Sequence, residues 1–216
     1  VKCCTIAPIF TEIIMELTAW LSLALLCILG AMTPGQSLII ILKHSVAGGR
    51  LNGLVASLGH GLGVMLYAIA TVVGLAVIIQ QTPWLFDLIR YLGAAFLVWL
   101  GYKALVSKAE SSSLLTSDDR FSLKQSFSEG LMISFLNPKL AIFFLALFSQ
   151  FVDDAAGWQQ SVIMVATVAG IDTLWYCLVA LILSHSLMLD KLRQNMNIIE
   201  KCSGVVLLAV ALRVVL

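Results

Sequence analysis

Long apolar runs without a charged residue are the main pattern of this chain. Residues 17–42 and 51–86 contain no Asp, Glu, Lys or Arg. Because a membrane-spanning helix needs about 20 predominantly apolar residues, these runs predict an all-α, polytopic membrane bundle. We predict six transmembrane helices, at residues 17–42, 52–79, 85–106, 127–151, 158–184 and 197–216. The sixth run is short after Lys201, so a bundle of five helices is the alternative.

The composition supports this interpretation and excludes other classes of protein. Of the 216 residues, 60% are hydrophobic and 12% are charged, whereas soluble domains carry about 25% charged residues. Too few polar side chains remain to cover the surface of a soluble enzyme or to keep a chain disordered. The 13 Lys and Arg residues nearly balance the 12 Asp and Glu residues, which leaves no basic surface for nucleic acid.

The sequence lacks the motifs of hydrolytic and metal-dependent enzymes. It has no HExxH motif, no cluster of His and Cys residues, and no phosphate-binding glycine loop followed by lysine. The five Cys residues do not have the spacing of metal ligands. We therefore predict a protein that is not an enzyme and that uses no cofactor and no metal ion.

The distribution of Lys and Arg predicts the orientation in the membrane. Nine of them lie in or beside the predicted loops 1–2, 3–4 and 5–6, whereas Lys2 and Arg90 lie on the opposite side. Loops rich in Lys and Arg stay in the cytoplasm. We therefore expect these three loops in the cytoplasm and both termini outside.

The predicted spans divide into two halves of three helices. Residues 15–106 form the first predicted repeat, residues 127–216 the second, and the charged, Ser-rich segment 107–126 the cytoplasmic linker. Residues 1–14 precede Met15, which looks like a natural start, and are interpreted as an N-terminal extension. Because three is an odd number, the second half enters the membrane in the opposite orientation, which predicts an inverted repeat.

The first and fourth spans are each interrupted by a proline. Thr33 and Pro34 interrupt the first span, and Asn137 and Pro138 interrupt the fourth. Thr and Asn are good N-cap residues, and proline is favoured at the first position of a helix. Each broken span is therefore predicted to consist of two half-helices, the second starting inside the membrane. Simple proline kinks are the alternative.

Helix N-termini inside the membrane are expected to bind an anion. Each presents free N–H groups and about half a positive charge, so two of them facing one cavity suit a carboxylate. Lys139 adds a cation at the second break, and Gln36 adds a polar amide at the first. The cavity between the breaks is therefore predicted to bind the carboxylate of a substrate.

One acidic residue, Asp172, lies deep in a predicted span. Because a carboxylate at this depth is costly, Asp172 should pair with a cation or carry a proton. It is therefore a candidate proton carrier and a candidate ligand for the ammonium group of a substrate. A static pair with Lys139 or Arg213 is the alternative. His60, between Gly59 and Gly63, serves either close helix packing or proton coupling. The predicted substrate-binding residues are Thr33, Pro34, Gly35, Gln36, Asn137, Pro138, Lys139 and Asp172.

Five segments together resemble the lysine exporter (LysE/RhtB) family of amino-acid exporters. They are residues 30–35 (GAMTPG), 48–54 (GGRLNGL), 93–101 (GAAFLVWLG), 127–130 (FSEG) and 136–139 (LNPK). The resemblance implies export of an amino acid or an amino-acid derivative across the bacterial inner membrane in exchange for protons. One position departs from the family pattern, which usually reads Pro-Gly-Pro where this chain has Pro-Gly-Gln.

The hypothesis from the sequence is a secondary transporter that exports a small zwitterion by proton antiport. Its expected partners are the zwitterionic substrate, protons and the lipid bilayer, with no nucleic acid, and the question of a homodimer stays open. Two alternatives remain. One is an ion channel or metal-ion permease that uses the same cavity, and the other is a membrane subunit without transport activity.

Overall fold

Helices form all the regular secondary structure in the described part of the chain. The computed structural model describes residues 16–33, 35–106, 121–152 and 157–182, together with 198, 201, 202, 204, 205, 207 and 208. Its elements are α1 (Leu17–Met32), α2 (Gln36–Ala47), α3 (Gly49–Gln81), α4 (Pro83–Val106), α5 (Leu123–Leu136), α6 (Pro138–Phe148) and α7 (Trp158–Ile182).

The apolar helices fit a membrane bundle. Helices α3, α4 and α7 are each long and apolar enough to span a bilayer. Helices α1 and α2 meet at an angle of 59°, and α5 and α6 at 58°, so each pair can form one broken span. The described residues thus provide three to five candidate spans. Pro34, the extension 1–14, linker residues 107–120 and most of the sixth span lie outside the described residues.

The largest differences from the predicted helix ends lie at the end of α2 and the start of α5. Helix α2 continues past residue 42 to Ala47, and Gly49, with a φ of 82°, begins the next helix. Helix α5 begins at Leu123, inside the segment predicted as linker. The cause is the N-cap Ser122, whose Oγ accepts a hydrogen bond from the backbone N–H of Gln125 at 3.2 Å.

Helix α3 is the centre of the bundle and contacts α2, α4, α5, α6 and α7. Glycines make its contact with α5 unusually close. A Cβ atom on Gly59 would overlap the backbone carbonyl of Phe127, and a Cβ atom on Gly130 would overlap that of Ala56. The close packing predicted from the spacing of Gly59 and Gly63 is confirmed, because Gly63 also contacts α5.

The buried side chains of the described residues form two apolar clusters. The larger cluster joins α1, α3, α4, α6 and α7 and includes Leu26, Leu97 and Phe148. The smaller one joins α2, α3 and α7 and includes Ile41 and Tyr176. Large apolar side chains also cover the outer faces of the helices, as expected for helices in contact with lipid.

Candidate functional site

The first break separates α1 from α2 without a side-chain cap on α2. Thr33 follows α1 with a φ of −65° and a ψ of 119°, and its hydroxyl donates to the backbone carbonyl of Leu29 at 2.6 Å. The prediction that Thr33 caps the second half-helix is therefore wrong, because its hydroxyl bonds back to the preceding turn. The N-cap is Gly35, and α2 begins at Gln36.

The second break carries the cap that the sequence predicts. Asn137 is the N-cap of α6, and its Oδ1 accepts a hydrogen bond from the backbone N–H of Lys139 at 3.1 Å. Pro138 occupies the first helical position, where its missing N–H leaves no helical hydrogen bond unmade. The predicted cap and first residue are thus confirmed at this break.

Side chains of the second break contact the first break directly. Asn137 donates through Nδ2 to Oγ of Ser37 at 3.1 Å, and both residues are buried. Lys139 donates through Nζ to the backbone carbonyl of Thr33 at 3.1 Å. The N-terminal turns of α2 and α6 therefore lie next to each other inside the bundle.

A cavity lies between the two breaks and α7. Five of the predicted substrate-binding residues line it, contributed by both breaks and by α7. The lining combines polar residues of the breaks and α7 with apolar residues, among them Leu140, Phe143, Phe144 and Val168. The five lining residues from the prediction are Thr33, Gly35, Asn137, Lys139 and Asp172.

The carboxylate on α7 is paired with a histidine on α3. Asp172 is 6% exposed, and its Oδ2 lies 2.8 Å from Nδ1 of His60. The histidine ring is fully buried and meets the ring of Tyr176 edge-on, with centroids 4.8 Å apart. Nε2 of His60 has no hydrogen-bond partner among the described residues. The sequence prediction considered Lys139 and Arg213 as partners of Asp172 but not His60; Arg213 lies outside the described residues.

Some predicted residues do not line the cavity, and some lining residues were not predicted. Gln36 and Pro138 are exposed and lie outside the lining, whereas Ser37, the residue after Gln36, is buried in it. Tyr176 was missed, although it follows Asp172 by four positions and so lies on the same helix face. Phe143 stands in the same relation to Lys139.

A second polar cluster joins the end of α2 to the start of α5. His44 is fully buried, and its Nε2 lies 3.0 Å from Oε2 of Glu129. Its Nδ1 lies 3.0 Å from Oγ of Ser126, and Nζ of Lys43 lies 3.4 Å from the same Glu129 oxygen. The C-terminal end of α2 and the N-terminal end of α5 thus lie at the same end of the bundle.

Comparisons with known proteins agree with the resemblance seen in the sequence. A family model described as LysE type translocator matches residues 28–216. An uncharacterized membrane protein, YrhP of Bacillus subtilis, is 25% identical over 190 residues, which cover 83% of this chain and 90% of the relative. The leucine efflux protein of Salmonella typhimurium is 33% identical over 125 residues, which cover 58% of this chain and 59% of the relative. No solved structure matches the chain with significance. The chain therefore belongs to the LysE type translocator family and is a membrane transporter rather than an enzyme.

Proposed function

We propose that this transporter exports an amino acid with an apolar side chain in exchange for protons, and that the cavity between the two helix breaks is its substrate site. One observation carries the proposal. Two helix N-termini, a lysine and a buried carboxylate meet around the same cavity. A zwitterion needs a positive site for its carboxylate and a negative site for its ammonium, because a charged group removed from water must be paired.

The substrate carboxylate binds on the side of the cavity where the breaks lie. The first turn of α6, with Asn137 and Lys139, and the N-terminus of α2 at Gly35 border this side. Helix N-termini favour an anion through their free N–H groups and dipole. The ammonium of Lys139 strengthens the attraction, since a charge-assisted hydrogen bond is about twice as strong as a neutral one.

Asp172 holds either the ammonium of the substrate or a transported proton. It borders the cavity and contacts His60 at 2.8 Å, so a proton can be shared between the carboxylate and the ring. When a cationic substrate group replaces that proton, the buried carboxylate stays neutralised, as its position in the membrane demands. Competition of the two cations for one carboxylate couples substrate export to proton entry.

The apolar lining residues of the cavity receive the substrate side chain. Leu140, Phe143, Phe144 and Val168 offer no partner for a charged side chain. The leucine efflux relatives support the same substrate class. Leucine is therefore the first substrate to test.

Packing between the two halves supports an inverted repeat of residues 15–106 and 127–216. In such a repeat, α5 corresponds to α1 and α7 to α3. Helix α5 packs on α3, and α1 packs on α7, so each broken helix contacts the unbroken second helix of the other half. Alternating access then follows from rocking of one half against the other.

The second polar cluster supports the proposed orientation. Its residues His44 and Glu129 join the end of the first span to the start of the fourth, which supports a common side for loop 1–2 and the loop before α5. The excess of Lys and Arg in these loops favours the cytoplasm for that side. The protein then resides in the bacterial inner membrane with both termini outside, and substrate leaves the cytoplasm.

Efflux from proteoliposomes tests the coupling to protons. An inwardly directed proton gradient should accelerate the efflux of leucine loaded inside vesicles that contain the wild-type protein. The Asp172→Asn variant should lose this acceleration, because an amide cannot carry the proton. The Asp87→Asn variant is the matched control, since Asp87 is exposed on α4. Efflux at the same rate with and without the gradient would contradict proton antiport. Unchanged acceleration in Asp172→Asn would show that Asp172 does not carry the transported proton.

Counterflow in the same vesicles tests the substrate class. Vesicles loaded with unlabelled leucine should accumulate labelled leucine, with little competition from external lysine or glutamate. A charged side chain would have to lose its water of hydration against Phe143 and Phe144, which is costly. Stronger competition by lysine than by valine would contradict an apolar substrate.

A further inference from the structure

We infer that Gly30 and Phe143 together set the largest side chain that the cavity accepts. Both residues line the cavity, Gly30 from α1 and Phe143 from α6. The inference rests on the proposed function, because it concerns which amino acids pass through that site. Beyond the proposed function, the inference identifies the two residues that select the substrate by size.

The ring of Phe143 occupies the place that a side chain at position 30 would need. A Cβ atom built on Gly30 would lie 2.6 Å from Cζ and 3.0 Å from Cε1 of Phe143. These distances are well inside van der Waals contact, for which carbon atoms stay about 3.5–4.0 Å apart. The ring position shown by the structure therefore requires glycine at residue 30.

The surroundings of the ring determine where it must go when it is displaced. Phe143 is 4% exposed and belongs to the larger apolar cluster, with the ring of Phe144 at a centroid distance of 5.9 Å. A packed interior resists displacement because it holds few voids. The unfilled space beside the ring is the cavity, so a methyl group on residue 30 pushes the ring towards the substrate.

The distance between the proposed carboxylate site and the Phe143 ring limits the length of the substrate side chain. Phe143 follows Lys139 by four positions, about 6 Å along the axis of α6. A substrate with its carboxylate at the start of α6 therefore reaches Phe143 with the end of its side chain. Alanine is too short for this contact, leucine approaches the ring, and phenylalanine would collide with it.

A set of four variants tests the inference by counterflow of alanine, leucine and phenylalanine. Gly30→Ala should lower leucine transport by about tenfold or more, since one methylene changes selectivity by about 10–200-fold in an apolar pocket, and should change alanine transport little. Phe143→Leu should keep leucine transport and add phenylalanine transport. The double variant should regain leucine transport, because leucine at 143 leaves room for the new methyl group. Gly74→Ala is the matched control, as its Cβ would meet no atom within 4 Å.

The results separate failure of the inference from failure of the proposed function. Equal losses of alanine and leucine transport in a folded Gly30→Ala protein would overturn the size limit. Continued exclusion of phenylalanine by Phe143→Leu would overturn it as well, even if Gly30→Ala does not fold. Wild-type protein that transports none of the amino acids would overturn the proposed function and the inference with it. Normal leucine transport by the wild type with unchanged selectivity in all variants overturns only the inference.

Discussion

The two helix breaks differ in which residues form hydrogen bonds with their polar groups. At the second break, Asn137 caps α6 with its own side chain. At the first break, Gly35 has no side chain, and the Thr33 hydroxyl bonds back into α1. The polar partners of the first break come from the second, through Asn137 to Ser37 and Lys139 to the Thr33 carbonyl. The second break therefore positions the first, and a substitution in the second break should affect both.

The largest effect is expected from Lys139→Met, which removes the cationic donor between the breaks. Hydrogen bonds to charged groups contribute about 1.5–3 kcal/mol, so the free energy of unfolding in mixed micelles should fall by about that amount. Transport should be lost as well, because the substrate carboxylate loses its cation. Lys124→Met is the control, since Lys124 is exposed near the start of α5. An equally stable, active Lys139→Met protein would contradict the dependence of the first break on the second.

A comparable loss of stability, but without loss of the cation, is expected from Asn137→Ala. Loss of an N-cap costs about 0.5–2 kcal/mol, and the buried hydroxyl of Ser37 loses the donor Nδ2 in addition. Asn137→Asp should recover part of the stability, because a carboxylate still accepts from the Lys139 N–H but cannot donate to Ser37. Thermal unfolding of the three proteins measures this order, with Gln81→Ala at the exposed end of α3 as control. Equal stability of the Ala and Asp variants would mean that the cap contributes nothing.

A smaller effect is expected from Thr33→Val, and it tests the corrected role of this residue. Thr33 and Thr71 each donate to the carbonyl four residues earlier, at 2.6 and 2.9 Å. Thr33→Val and Thr71→Val should therefore lower the free energy of unfolding by similar amounts, about 0.5–1.5 kcal/mol for a neutral hydrogen bond. A clearly larger loss in Thr33→Val would mean that the hydroxyl also supports α2.

Local patterns made part of this molecule predictable from its sequence. Long apolar runs gave the unbroken helices well, as in α7, which spans Trp158–Ile182 against the predicted 158–184. The cap at Asn137 was predictable because Pro138, the next residue, favours the first position of a helix. Thr33 was assigned to the wrong helix because a threonine hydroxyl between two helices can serve either one. A local pattern cannot decide between such alternatives when both neighbours are helical.

Contacts between distant parts of the chain were not predictable in the same way. His60 and Asp172 are separated by 112 positions, and their pairing depends on how α3 packs against α7. The glycines of α3 suggested a close contact, but the sequence alone did not identify α5 as the partner. Phe143 and Tyr176 could have been found from the four-residue helical repeat, once Lys139 and Asp172 were chosen.

The smallest effect is expected from giving the first break the cap that it lacks. Gly35→Ser adds a hydroxyl at the N-cap of α2, where serine is favoured over glycine by a few tenths of a kcal/mol. The site has room, because a Cβ atom on Gly35 would lie 3.7 Å from Nζ of Lys139, an ordinary contact. Gly35→Ala adds the same Cβ atom without an acceptor, so it should be less stable than Gly35→Ser in thermal unfolding. If serine and alanine give the same stability, α2 gains nothing from a side-chain cap of its own.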